Sequence, residues 1–184
     1  SKLQLLGMAS IFVASKYEEV HPPTIDKILA TAGEAYTTKD LLDMEGRLLE
    51  VLNFQLTYPT ILRFLFRYAG LLSVNTKTLM FSRFLAELSL TSSKLNKFRN
   101  STIAAGAIYL SNKIVRRVED WPISIIRESR LSLSEVRVCA KELYVLLIST
   151  GTYPGSEGPL NAIRRKFSAE KYLRVSLVCI EHRF

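Results

Sequence analysis

The hydrophobic positions of this chain fall into helix-length stripes separated by well-marked breaks. In Leu3–Tyr17 ten of fifteen residues are apolar, and Pro22-Pro23 end the run. Thr24 is placed to cap a short helix that should end at Gly33. Thr37 and Asp40 have capping-box spacing ahead of LLDMEGRLLEVLNF. Pro59-Thr60 open TILRFLFRYAG, which should stop at Gly70. TKTLMFSRFLAELSL, STIAAGAIYLSNKIVRR, the short PISIIRES and SLSEVRVCAKELYVLL follow, the last opening on a second capping box, Ser132 with Glu135. No segment shows the alternation of a half-buried strand, so the expected class is all-α.

These helices contain a repeat. Leu5–Val13 and Ile103–Ser111 are both apolar helices interrupted by small residues, with Gly7 matching Gly106 at an offset of 99. Each is followed by proline (Pro22-Pro23 and Pro122), a short helix and a capped amphipathic helix. At an offset of 95, Thr37, Asp40, Leu41, Met44, Leu48 and Leu52 meet Ser132, Glu135, Val136, Cys139, Leu143 and Leu147. Small residues let helices approach closely around a central one, which suits a compact bundle. The second copy has five helices between Thr60 and Ser149, and the first has only the last three of them. The first domain is therefore expected to lack two helices. Expected domains are 1–57, 58–150 and a C-terminal extension with a short helix, 151–184.

Two charges break the apolar stripes. On a helical wheel Lys16 falls among Leu5, Ala9 and Phe12, and Glu45 falls among Leu41, Leu48, Leu49 and Leu52. A buried charge is costly without a partner. The second copy has Val115 and Ala140 at these positions, so the fold does not require the pair, and the asymmetry favours a function.

Composition narrows the class without naming a chemistry. The chain has 184 residues, 48% hydrophobic and 23% charged, ordinary values for a globular chain with real cores. Its net charge of +8 leaves nucleic acid open. The basic residues are scattered, however, with Arg164-Arg165-Lys166 the longest run, so a solvated surface is the better reading and nucleic-acid binding is not expected. Cys139 and Cys179 make no metal or disulfide framework, and His21 has no companion ligands. No metal or cofactor is expected. The N-terminal run reads as helix rather than secretory leader, and no apolar stretch reaches membrane-spanning length, so a nuclear and cytoplasmic location is expected.

The segments LQLLGMASIFVASKYEEVHPPTI and YTTKDLLDMEGRLLEVLNFQL closely resemble the first cyclin box of mitotic, A/B-type cyclins. FLAELSL, STIAAGAIYL, the Trp121-Pro122 step and the closing KFSAEKYLRVSL are similar to the second box. The resemblance implies tandem cyclin-box helical bundles, five-helix repeats of which the first lacks its first two helices. It also implies a non-enzymatic regulatory subunit that binds and activates a cyclin-dependent kinase, forming a heterodimer that controls G2/M progression. In that family the lysine and glutamate matched by Lys16 and Glu45 face the kinase and hydrogen-bond the backbone around its C helix. Apolar anchors around them correspond to Val13, Tyr17, Leu49, Phe54 and Leu56. Gln4 matches one polar residue of the patch that docks kinase substrates, most of which lies in the expected missing helices.

Without the resemblance these residues have plainer readings. Lys16 suits a helix C-terminus, and Glu45 can pair with Lys16 or Arg47. Gln4 is as readily a solvent-facing residue. Arg63 and Arg67, four apart on one helix face, have the spacing to hold a phosphate, but a solvated face is the better reading. Met8, Met44 and Met80 read as core filler. Two rival functions stay open: a TFIIB-like cyclin-fold transcription factor that binds DNA, and a degenerate cyclin that binds no kinase. ASKYEE-x-x-PP with the Lys16/Glu45 pair speaks against the first. The shortened first box speaks for the second.

Overall fold

The computed structural model describes residues 2–33, 35–116, 118, 121–149 and 161–178. Nine α-helices and no strand occur among them, which makes the all-α expectation correct. The chain divides into two compact units, Ser1–Tyr58 and Pro59–Phe184.

The first unit holds α1 (Lys2–Glu18), α2 (Ile25–Ala30) and α3 (Thr38–Val51). The capping box forms as read: the Thr37 hydroxyl accepts from the Asp40 amide at 3.2 Å, and the Asp40 carboxylate accepts from the Thr37 amide at 2.9 Å. The α2 boundary differs from the reading. Thr24 is extended but its side chain makes no cap bond, and the helix ends at Ala30, where the Thr31 hydroxyl turns back to the Ile28 carbonyl. Gly33 follows in the left-handed region, at φ +55°. A small core of Leu5, Met8, Ala9, Phe12, Ile28 and Leu41 joins the three helices. The opposite side of α1 is open, with Leu3 76% and Ile11 59% exposed.

The second unit holds α4 (Ile61–Leu71), α5 (Thr76–Ser89), α6 (Asn100–Ser111), α7 (Ile123–Ser129), α8 (Leu133–Ser149) and α9 (Asn161–Phe167). Here α6 is enclosed: every residue from Thr102 to Asn112 is buried, with α4, α5 and α8 packed around it. The helix widens into a π turn at Asn112–Arg116. Trp121 is buried and donates from Nε1 to the Leu131 carbonyl at 3.3 Å. The Ser132/Glu135 capping box also forms, with the Glu135 carboxylate 2.8 Å from the Ser132 amide. The described part of the C-terminal extension packs into this unit. Phe167 is fully buried against Phe84 and Tyr172, with ring centroids 5.5 and 4.8 Å away. The Arg164 guanidinium donates to the Leu147 carbonyl at 2.6 Å. Cys139 is buried without a disulfide; Cys179 lies outside the described residues.

The two glycines matched by the repeat do different work. A Cβ at Gly106 would lie 3.1 Å from Cys139 Sγ and 3.2 Å from the Ala140 amide nitrogen, so α6 and α8 touch there because no side chain intervenes. A Cβ at Gly7 would meet nothing within 4 Å. The close approach expected at both positions holds only at Gly106, because Gly7 points to the open side of α1.

Candidate functional site

Periodicity places Lys16 on the face of α1 that carries Leu5, Ala9 and Phe12, and places Glu45 one turn beyond Leu41 on α3. Because α1 packs on α3, the two charges meet: the Lys16 ammonium forms an ion pair with the Glu45 carboxylate. The ammonium also stands over the Phe12 ring, 4.1 Å from its centroid. The Glu45 side chain is 11% exposed and that of Lys16 is 42% exposed. Glu45 is thus more deeply buried than Leu48, Leu49 or Leu52 around it. A carboxylate has displaced leucines from the best-buried position of the C-terminal half of α3.

The pairing confirms the plainer reading of Glu45 as bonded to Lys16, and it leaves room for more. A carboxylate has about four acceptor sites and an ammonium three donors, so one ion pair leaves most of them for a third group. The partial exposure of Lys16 gives such a group access.

The expected apolar anchors fall into three kinds. Tyr17 is 49% exposed, and its hydroxyl is hydrogen-bonded to the Thr57 hydroxyl, which ties the segment after α3 back to the end of α1. Thr57 was not anticipated, and no local pattern marks a contact across forty residues. Leu49 and Leu56 are half-buried. Val13, only 7% exposed, offers almost no surface as placed, although it is not among the residues of the unit's core.

Phe54 is the most exposed of the set at 69%. It follows α3 directly, and both Asn53 and Phe54 lie in the left-handed region, at φ +49° and +56°. The turn is held by the Phe54 amide bonding to the Leu49 carbonyl at 2.9 Å. Asn tolerates this conformation, but for phenylalanine it costs roughly 1–2 kcal/mol. A strained backbone that holds an aromatic ring in solvent is a feature to expect at a recognition site.

Elsewhere the candidates are weaker. Gln4 is exposed and accepts from the Tyr36 hydroxyl at 3.3 Å. Arg67 forms an ion pair with Glu128 and Arg63 is exposed, so a phosphate cradle is not formed by the pair. Met8 lies in the core of the first unit with Met44 packed against it, and Met80 packs against the core of the second unit. His21 is exposed, and no cluster of metal-ligating residues occurs among the described residues. None of the described helices is long and apolar enough to cross a membrane.

Comparison with known proteins accounts for this architecture. Residues 1–57 match the N-terminal domain of cyclins and residues 59–181 the cyclin C-terminal domain. Over 96% of its length the chain is 40% identical to Cyclin-A1 of Mus musculus, covering 41% of that protein. With the same 96% coverage of this chain, identity is 37% to the G2/mitotic-specific cyclin-A of Patella vulgata and 39% to Cyclin-A1 of Homo sapiens, of which it covers 40% and 37%. The chain therefore spans about two fifths of the length of these curated relatives. Both cyclin domains are matched in order, in a chain whose described residues are helical and form no strand, and the chain belongs to the cyclin family.

Proposed function

We propose that this chain is the kinase-binding part of an activating subunit of a cyclin-dependent protein kinase. The observation that carries the reading is the Lys16–Glu45 pair, seated over Phe12 where the second unit has Val115 and Ala140 at the equivalent positions. With Glu45 buried and Lys16 held to it by the ion pair and to the Phe12 ring, the pair is pre-organised, so engaging peptide groups of a partner costs little further ordering. Tyr17, Phe54, Leu49 and Leu56 would supply the apolar surround that excludes water from those polar contacts.

In the mechanism that cyclin membership suggests, docking holds the kinase C helix inward. The kinase's catalytic Lys–Glu ion pair then stays formed and its activation loop open. Phosphoryl transfer is the partner's, and this chain acts by shifting the kinase's conformational equilibrium. Control of G2/M progression, a nuclear and cytoplasmic location and a role for Gln4 in docking substrates belong to the same proposal.

The test is Lys16→Ala combined with Glu45→Ala, with affinity for a cyclin-dependent kinase measured by calorimetry. Binding should weaken by on the order of 100-fold, the loss of about 3 kcal/mol at an interface centre. Helical circular dichroism should be retained. Wild-type affinity in a folded double variant would remove these residues from the interface.

A further inference from the structure

Helix α8 carries an apolar stripe that the core does not use. Val136, Cys139, Ala140, Leu143 and Leu147 are buried, while Val138, Val145 and Ile148, on the opposite side, are 57%, 54% and 47% exposed. With Lys141 between them, these residues follow one another at spacings of three and four, along about 15 Å of helix. The internal repeat supplies a control. At the equivalent positions the first unit has Asp43, Gly46 and Glu50 on α3 and Asn53 in the turn after it, all of them exposed. Val and Ile are only middling helix formers, close to Asp and Asn and below Glu, so helix formation does not explain them.

The surroundings of the stripe are basic. Lys97 reaches Glu142 on its flank at 2.9 Å. Lys97, Lys94 and Lys141 together hold that carboxylate below its usual range. The second unit has 20 Lys and Arg residues against 9 Asp and Glu, a net +11, whereas the first unit is at −3. The whole-chain charge of +8 thus conceals a strong asymmetry.

We infer that the outer face of α8 is a docking site for an amphipathic helix with acidic flanks. Its apolar edge would lie along Val138, Val145 and Ile148, and its carboxylates would face Lys141 and Lys94, on either side of the Lys97–Glu142 pair. Charge decides against the other occupants. In a two-fold pairing of α8 with a second copy, Lys141 and its neighbours would face their own like charges, and each unit would bring +11 to the contact. A DNA backbone would gain nothing from three exposed aliphatic side chains. The inference does not depend on the kinase reading, which concerns the first unit.

The probe is a designed, fluorescein-labelled helix of roughly 20 residues with a leucine seam and glutamate flanks, titrated with chain 1–184 and followed by anisotropy. It should bind at least about tenfold more tightly than the same seam with lysine flanks, and weaken as salt rises from ~0.05 to ~0.5 M. Val145→Asp and Lys141→Glu, both at exposed positions, should each reduce affinity about tenfold with unchanged circular dichroism. Equal binding of the two peptides, or indifference to both variants, would overturn the proposal. So would a dimer in sedimentation that Val145→Asp disperses, or sedimentation with phosphatidylserine vesicles that the variant abolishes while the peptide stays unbound.

Discussion

Gly7 and Gly106 occupy equivalent places in the repeat, yet alanine at the two positions should have opposite effects on stability. At an interior helix position, replacing glycine by alanine is worth about 1 kcal/mol in favour of the helix. At Gly7 nothing opposes this gain, because the new methyl group has no neighbour within 4 Å. At Gly106 the methyl group would sit 3.1 Å from Cys139 Sγ, 3.2 Å from the Ala140 amide nitrogen and 3.3 Å from Cys139 Cβ. Ordinary carbon contacts lie at about 3.5–4.0 Å, so α6 and α8 must part by several tenths of an ångström. One obstacle is backbone, which cannot rotate away, and the seam contains the fully buried Val136, Cys139, Ala140 and Leu143. Overpacking of this kind costs about 1–3 kcal/mol. The net result is a loss of roughly 1 kcal/mol for Gly106→Ala against a gain of about 0.5–1 kcal/mol for Gly7→Ala. Urea unfolding followed by Trp121 fluorescence reports the second unit, and amide hydrogen exchange across α1 reports the first. If Gly106→Ala raised the urea midpoint, the close α6–α8 contact would be refuted.

Two further outcomes follow from titrating groups. Hydrogen bonds from the Thr37 hydroxyl and amide hold the Asp40 carboxyl below its ordinary value, and Ser132 does the same for Glu135. A lowered folded-state pKa gives stability that is full above the unfolded value near 4 and is lost as pH falls through the folded one. Melting temperature should therefore decline on acidification below about pH 5, and less steeply in Thr37→Ala with Ser132→Ala; parallel curves would contradict the capping assignment. Burial pushes the Cys139 thiol up to about 12, so the native chain should resist alkylation there at neutral pH. Mass-spectrometric mapping should find Cys139 labelled only as urea opens the second unit, and rapid native labelling would show that α8 is not closed over it.

Much of the fold was legible in the chain because its signals are local. Both capping boxes, the proline and glycine breaks and the 3.6-residue stripes each act within a few residues, and the helices formed where these placed them. The short α2 shows the limit: Thr24 and Gly33 are correct punctuation, but over six helical residues the turn at Thr31 decides the end. The site was legible in part. Lys16 and Glu45 stood out as charges in apolar stripes, and the repeat showed that the fold does not need them. That Tyr17 is tied to Thr57, that Val13 is buried and that Phe54 is held in a left-handed turn depend on contacts the linear pattern does not encode.

The sequence by itself determined the helices, their order, their relation by an internal repeat and the cyclin resemblance, because periodicity and capping are properties of short segments. Only the tertiary structure decided which face of each helix is closed. Packing depends on the neighbours a helix actually has, so equivalent residues such as Gly7 and Gly106 stand one in the open and one in a tight seam. The same rule makes a glutamate the best-buried residue of its stretch of α3: α1 brings it both cover and a cation, which no count along the chain could supply.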